Sequence, residues 1–404
     1  MSCFDPHSYT DISQGKVFKV DLRLTVDFEK LCLRGYVILK MTKLTQGFID
    51  LDTRDLKINK ITNINGDSLK WFLGERDSIL GSRLRIELPE KTKEISIMYE
   101  TSPEASALQW LKPEHTTGGK HPYLFSQCQP HHARSILPIQ DSAVVRFSYR
   151  AEITVPEPLV AVMSAAPGKK QDGPDSGLAT YTFEMPQPIP AYLLALAVGN
   201  IAQKDIGSRS RVYAEPEILE KAAWEFEPVD SILQKAEELF GHYLWDRYDF
   251  VVMPPAFPYG GMENPRLNFF TPTLIAGDRS MINTLVHELA HSWTGNLVTN
   301  ATMEDFWLNE GFTVWAERRI IEVLEGKEAA VLDAAIGLNN IKRDLDRFGE
   351  NSPYTQLKTD LKGIDPDEVF SRIPYEKGFL FFTLLEQNVG RKSFDKFVQE
   401  YIER

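Results

Sequence analysis

Hydrophobic periodicity changes once along this chain, and no other feature limits the fold so strongly. In VFKVDLRLTVDF, Phe18, Val20, Leu22, Leu24, Val26 and Phe28 alternate with Lys19, Asp21, Arg23, Thr25 and Asp27. A period of two belongs to a half-buried strand. RGYVILKM, LKINKI, RLRIEL, EISIMYE, RAEITV and YTFEM repeat the signal, with INGD and KKQDGPDSG as turns between strands. The longest apolar run, IPAYLLALAVG at 189–199, falls well short of the ~20 residues of a membrane span and reads as a fully buried strand. Near Gln203 the period lengthens. Val229, Ile232, Leu233, Ala236, Leu239 and Phe240 make one helical stripe, with Gly241 as its stop. Helical patterns then run to the end, interrupted by the strand-like YDFVVM and the turn-rich PPAFPYGGMENP. The expectation is an N-terminal antiparallel β-sheet domain, residues 1–203, followed by a mainly α domain, residues 204–404.

A chain of 404 residues exceeds one ordinary core, which agrees with two domains. The net charge of −12 argues against nucleic-acid and anionic-membrane partners, because the basic footprint such surfaces require is missing. Cys3, Cys32 and Cys128 are widely spaced and odd in number, so no disulfide framework or thiolate cluster is expected. The start, MSCFDPHSYT, has neither a basic segment nor an apolar core of the kind a secretory signal carries. A cytoplasmic, monomeric protein is expected.

The stretch HELAHSW carries the chemistry. His287 and His291 are four apart on a helical stripe formed by Met281, Ile282, Leu285, Val286, Leu289 and Trp293, which is expected to end at Gly295. Both imidazoles then leave one face ~6 Å apart along the axis, close enough to share one zinc ion. Glu288 would point beside that metal, where it could take a proton from bound water. The bare pattern also arises in ordinary core helices, and the next segment decides against that. In TMEDFWLNEGFTVWAERR, Thr302 and Asp305 suggest a cap, and Glu310 follows among apolar residues. A buried carboxylate needs a cation, and two histidines with one carboxylate leave the open position of a catalytic zinc. Glu317 falls on the same face, either orienting a ligand histidine or as a solvated helix charge.

With GGMEN (Gly260 to Asn264) upstream, this pattern resembles the zinc aminopeptidases of the gluzincin class. Within that class the resemblance is to the group of leukotriene A(4) hydrolase and its bacterial and fungal aminopeptidase relatives. The matching strings are TSPEASALQWL, YLFSQCQ, FPYGGMENP, TPTLIAGD, HSWTGNLVTN, FWLNEG and DPDEVFSRIPYEKGF, spanning residues 101 to 380. The resemblance implies a thermolysin-like catalytic domain after the β domain. It implies His287, His291 and Glu310 as ligands of one Zn2+ and Glu288 as general base. Glu263, assisted by Gln129, would hold the substrate's α-amino group beside Gly260, Gly261 and Met262. Tyr375 would stabilise the oxyanion. Phe306 and Tyr259 would be pocket walls or core.

Two departures accompany it. Members of this group continue into a C-terminal helical domain, whereas this sequence stops at EYIER, within an apolar stripe of Phe394, Phe397, Val398, Tyr401 and Ile402. Phe370 stands where a tyrosine serves lipid-epoxide chemistry, although Asp367, the matched aspartate of that reaction, is present. The expected function is zinc-dependent removal of the N-terminal residue from short peptides with a free N-terminus. The alternatives are an added lipid-epoxide hydrolase activity and an inactive zinc-stabilised binding protein.

Overall fold

The computed structural model describes residues 5–42, 46–89 and 92–403. It separates into two compact units. One comprises Met1–Ala202 with Glu215–Glu217, the other Gln203–Ala214 with Ile218–Arg404.

The first unit is built of strands. Its largest sheet has seven, in the order Ala166–Asp172, Leu178–Pro190, Arg146–Pro156, Val17–Asp27, Cys32–Met41, Glu94–Glu100 and Lys57–Asn63. The pairs are antiparallel except the central one, where Val17–Asp27 runs parallel to Arg146–Pro156. Val20, Leu22, Leu24 and Val26 fill the core face, as their alternation requires. Phe18 does not join them. The register shifts between Val17 and Lys19, so Val17 turns inward while Phe18 is 48% exposed. An irregularity of this kind reverses the parity of every residue before it.

The run at 189–199 is buried throughout, but it is not one strand. Pro190 has no N–H for a ladder, and the chain turns through a 3-10 segment, Ala191–Leu193, before pairing again at Leu196–Gly199. Cys32 and Cys128 are buried free thiols. Cys3 lies outside the described residues.

The second unit holds seven helices among the described residues: α1 (Leu219–Glu225), α2 (Val229–Phe240), α3 (Ile282–Ala290), α4 (Trp307–Glu325), α5 (Lys327–Phe348), α6 (Gly378–Val389) and α7 (Arg391–Glu403). Gly241 ends α2 at φ 93°, a conformation that glycine adopts without strain. A five-stranded sheet accompanies the helices, in the order Ala202–Asp205, Arg211–Ala214, Phe250–Val252, Asn268–Phe270 and Gly261–Met262. The sequence pattern showed only the YDFVVM strand, because the others are too short to display a period. Gly261–Met262 is the sheet's edge, paired antiparallel to Asn268–Phe270.

Helix α4 is the axis of this unit. Phe312, Trp315, Ile320 and Ile321 are buried on it together with Asn309, Glu310 and Thr313. The stripe of α7 packs on α4, with Phe394 edge-on to Trp315 at 5.1 Å and Tyr401 against Phe312 at 5.2 Å. Phe397 stays exposed. No described helix is long and apolar enough to cross a membrane.

Candidate active site

Helix α3 brings His287, Glu288 and His291 to one place. It is shorter than the apolar stripe suggests, closing at Ala290 with His291 as the capping residue. The chain then turns tightly toward Gly295 (φ 148°), where a Cβ would sit 2.7 Å from Nδ1 of His291. The Nε2 atoms of His287 and His291 are 3.1 Å apart. Oε2 of Glu310, from the first turn of α4, lies 3.3 Å from the former and 3.4 Å from the latter. Thr302 leads into a 3-10 turn, Met303–Asp305, without a side-chain cap, and α4 begins only at Trp307.

These three separations form a triangle whose edges match the ~3.3 Å between ligands that tetrahedral bonds of ~2.0–2.1 Å impose. Oε2 of Glu310 is buried without a hydrogen bond among the described residues, an arrangement a cation would resolve. Charge argues the same way. Glu263, Glu288 and Glu310 are all buried here, and ligand histidines must be neutral, so the carboxylates need positive charge from elsewhere. Burial pushes Glu288 up to about 8 and also raises Glu263, with neighbouring carboxylates adding to both shifts. Burial works against ionised Glu310 too, but the His291 and His287 rings hold its carboxyl far below the usual range. The residues present therefore fit zinc.

The outer contacts fix both rings. Nδ1 of His287 lies 2.9 Å from Glu317, whose carboxylate is turned to the ring rather than to solvent. Nδ1 of His291 lies 3.1 Å from Oγ1 of Thr313 and 3.3 Å from the Thr294 carbonyl. Thr313 went unnoticed in the sequence, although it stands three residues after Glu310 and so on the same helical face.

Glycines set the close approaches. The side chain of Glu288 packs directly against Gly261, where any Cβ would collide with it. Gly311 and Gly378 meet backbone to backbone, a Cβ on either lying 2.6 Å from the other's Cα. That contact seats the π-helical turn Ile373–Lys377 on α4 and stacks Tyr375 on His287, ring centroids 6.1 Å apart. Phe306 and Phe370 stand edge-on to the Tyr375 ring, and the Arg372 guanidinium lies over it at 5.1 Å. Burial, with Glu310 nearby, raises the Tyr375 phenol well above its ordinary value, so it keeps its proton.

Glu263, Glu288 and His291 each offer one atom within 4.8 Å of the others. Asn296 donates to the Glu263 carbonyl at 2.7 Å, fixing the backbone beside the edge strand. Met262 is buried on that strand, next to Gly261, and Gly260 precedes them with its carbonyl bound by Thr271. Tyr259 is 43% exposed, and Asp367 lies in the turn Pro366–Val369. Gln129 belongs to the first unit, between the strand Tyr123–Ser126 and the 3-10 turn Ala133–Ser135.

Comparison with known proteins accounts for both units. Residues 6–193 match the Peptidase M1 N-terminal domain and residues 224–404 the Peptidase family M1 domain. A leukotriene A-4 hydrolase of Xenopus laevis is 42% identical over 99% of this chain and 67% of that protein. This chain is a member of peptidase family M1. Another M1 relative, leucine aminopeptidase 2 of Yarrowia lipolytica, is 43% identical over 98% of this chain and 62% of its own length. The Saccharomyces cerevisiae leukotriene A4 hydrolase superposes with a TM-score of 0.93 at 39% identity, covering 99% of this chain and 64% of that one. An M1 zinc metallopeptidase of Deinococcus radiodurans, 23% identical, shares the fold with a TM-score of 0.76. The chain thus spans about two thirds or less of the length of these curated relatives.

Proposed function

We propose that this M1 protein is a zinc aminopeptidase that removes the N-terminal residue of short peptides. The observation that carries the reading is the triangle of His287, His291 and Glu310 with the carboxylates of Glu288 and Glu263 buried beside it. Bound there, zinc would supply Lewis-acid polarisation of the scissile carbonyl and an acidified water. Glu288 would serve as the general base there, holding the proton that it hands on to the leaving amine. A carboxylate whose proton affinity burial has raised suits such two-way transfer.

Glu263 accepts hydrogen bonds from the substrate ammonium, which restricts cleavage to the first peptide bond. The edge strand Gly261–Met262 offers its outer side to an extended peptide, aligning the bond with Glu288. Tyr375, still protonated, donates to the oxyanion as it forms. Phe306 and Tyr259 wall the first side-chain pocket, and the amine-assisting role of Gln129 rests on the resemblance alone. The reading extends to a cytoplasmic monomer.

The test is hydrolysis of a panel of aminoacyl arylamides by the purified chain, before and after chelation and zinc restoration. Chelator-sensitive release restored by zinc is expected. Turnover indifferent to chelator would overturn the reading.

A second activity rests on Asp367. It is exposed in its turn, and after burial its charge is the second cause that raises the Tyr259 phenol above its ordinary value; the matched relatives include a protein named leukotriene A-4 hydrolase. Lipid-epoxide hydrolysis in the same site would yield a dihydroxy lipid, which chromatography distinguishes from a released amino acid.

A further inference from the structure

Asp5, His7 and His131 bring a carboxylate and two imidazoles together inside the first unit. One ligand atom from each lies within 4.8 Å of the others, and all three residues are buried. They come from two distant segments: the strap that precedes the strand Val17–Asp27, and the turn after the strand Tyr123–Ser126. Oδ1 of Asp5 is 3.9 Å from Nδ1 of His7, and Oδ2 is 3.6 Å from Nε2 of His131. The two rings lie 5.2 Å apart, tilted by 33°.

These gaps are informative. A charge-assisted N–H···O bond closes to ~2.7–2.9 Å, so neither ring has drawn the carboxylate into a tight ion pair. The gaps are also too short to seat a bridging water. Two ligands on one ion with bonds of ~2.0–2.2 Å stand ~3.3–4 Å apart at tetrahedral or wider angles, which is the spacing found. Nε2 of His131 is the ring nitrogen nearer the Asp5 carboxylate, and so the one that would face an ion held there.

The surroundings are built to hold the group in place. Ser142 donates to Oδ2 of Asp5 at 2.6 Å, and the His7 amide to Oδ1 at 3.0 Å. Arg134 donates to the His7 carbonyl at 2.7 Å. Outer contacts of this kind orient ligand carboxylates in metal sites.

We propose that Asp5, His7 and His131 form a second metal site, taking a divalent transition ion of the zinc class, separate from the His287 set. Two imidazoles and one carboxylate are the donors such ions prefer over magnesium or calcium. The ion clasps the strap to the turn that carries Gln129, two residues before His131. Its role is therefore structural, and it stands independently of the aminopeptidase reading.

The experiment counts metal on the full chain. Protein is loaded with zinc, passed through a desalting column and analysed for metal, as the parent, as His287→Ala/His291→Ala, and as that pair with His131→Leu. The expected stoichiometries are two, one and none per chain. A parent that holds a single ion, or a second ion that survives His131→Leu, overturns the proposal. If the triple variant does not fold, as judged by circular dichroism, cobalt titration of the unaltered chain decides instead. Visible absorption saturating at two equivalents supports the site, and saturation at one removes it.

Discussion

Oε2 of Glu317 sits 2.9 Å from Nδ1 of His287, two turns of α4 beyond Glu310. One helix face therefore supplies both a carboxylate to the metal position and the carboxylate that orients a ligand ring. With Nδ1 donating to Glu317, the lone pair of Nε2 points toward His291 and Glu310. Contacts of this kind are worth ~10–100-fold in metal affinity. Glu317→Ala is expected to lower zinc affinity by about that factor in a chelator competition, while zinc-saturated protein keeps most of its turnover. Unchanged affinity would mean that the contact does not orient the ring.

Glu288→Gln tests the proton-transfer role. The amide fills the same space against Gly261 but cannot accept the proton. Zinc content should stay at the parent level while arylamide turnover falls by at least ~10²–10⁴-fold. Activity within a few-fold of the parent would assign the base elsewhere.

Glu263→Gln separates anchoring from chemistry. Free-amine peptides lose an ammonium–carboxylate contact that also places the scissile bond; N-acetylated peptides have no such contact to lose. The loss should be far larger for the free amines, measured as kcat/KM on matched pairs. Equal losses on both would move the amine anchor to another residue.

Gly378→Ala probes how Tyr375 is delivered. The new Cβ would stand 2.6 Å from the Gly311 Cα and 3.3 Å from the Trp307 carbonyl, both backbone atoms that cannot swing aside. Overpacking of this kind costs ~1–3 kcal/mol, and relief comes from moving the π-helical turn off α4. Turnover should fall by more than zinc affinity does, because Glu310 stays on α4 whereas Tyr375 rides on the turn. A variant with parent turnover and parent thermal stability would show that the backbones need not touch.

The fold class was legible because the two periodicities are local properties of the residues. The α2 stripe and its Gly241 stop needed nothing beyond helical geometry. Phe18 and the run at 189–199 were misjudged where one position, a bulge or a proline, overrides the pattern around it. At the candidate site, the spacing of His287 and His291 follows from one helix, and Glu310 from the cost of burying a charge. Tyr375 was reachable only through resemblance, since its place depends on Gly311 meeting Gly378 across a long gap in sequence. The cluster of Asp5, His7 and His131 escaped for the same reason: nothing local links residue 7 to residue 131.

The Asp5 carboxyl gives that cluster a pH signature in the metal-free chain. Burial alone would raise its pKa. The attraction of the nearby His131 ring outweighs this, with help from the Ser142 hydroxyl and the His7 amide, and the carboxyl is held at about 2 against an ordinary 3.8. Because the folded value is the lower one, the stabilisation is present above pH ~4 and is lost as pH falls through about 2. The shift corresponds to about 2 kcal/mol. Asp5→Asn removes the titration while nearly conserving shape. Denaturant unfolding of chelated parent and variant between pH 2 and 5 should show the parent's advantage largest at pH 5 and shrinking toward pH 2. The variant's baseline also shifts with its altered hydrogen bonding, so the slope of the difference against pH is the test. A difference that stays flat across that interval would show that Asp5 gains nothing from His131 in the folded chain.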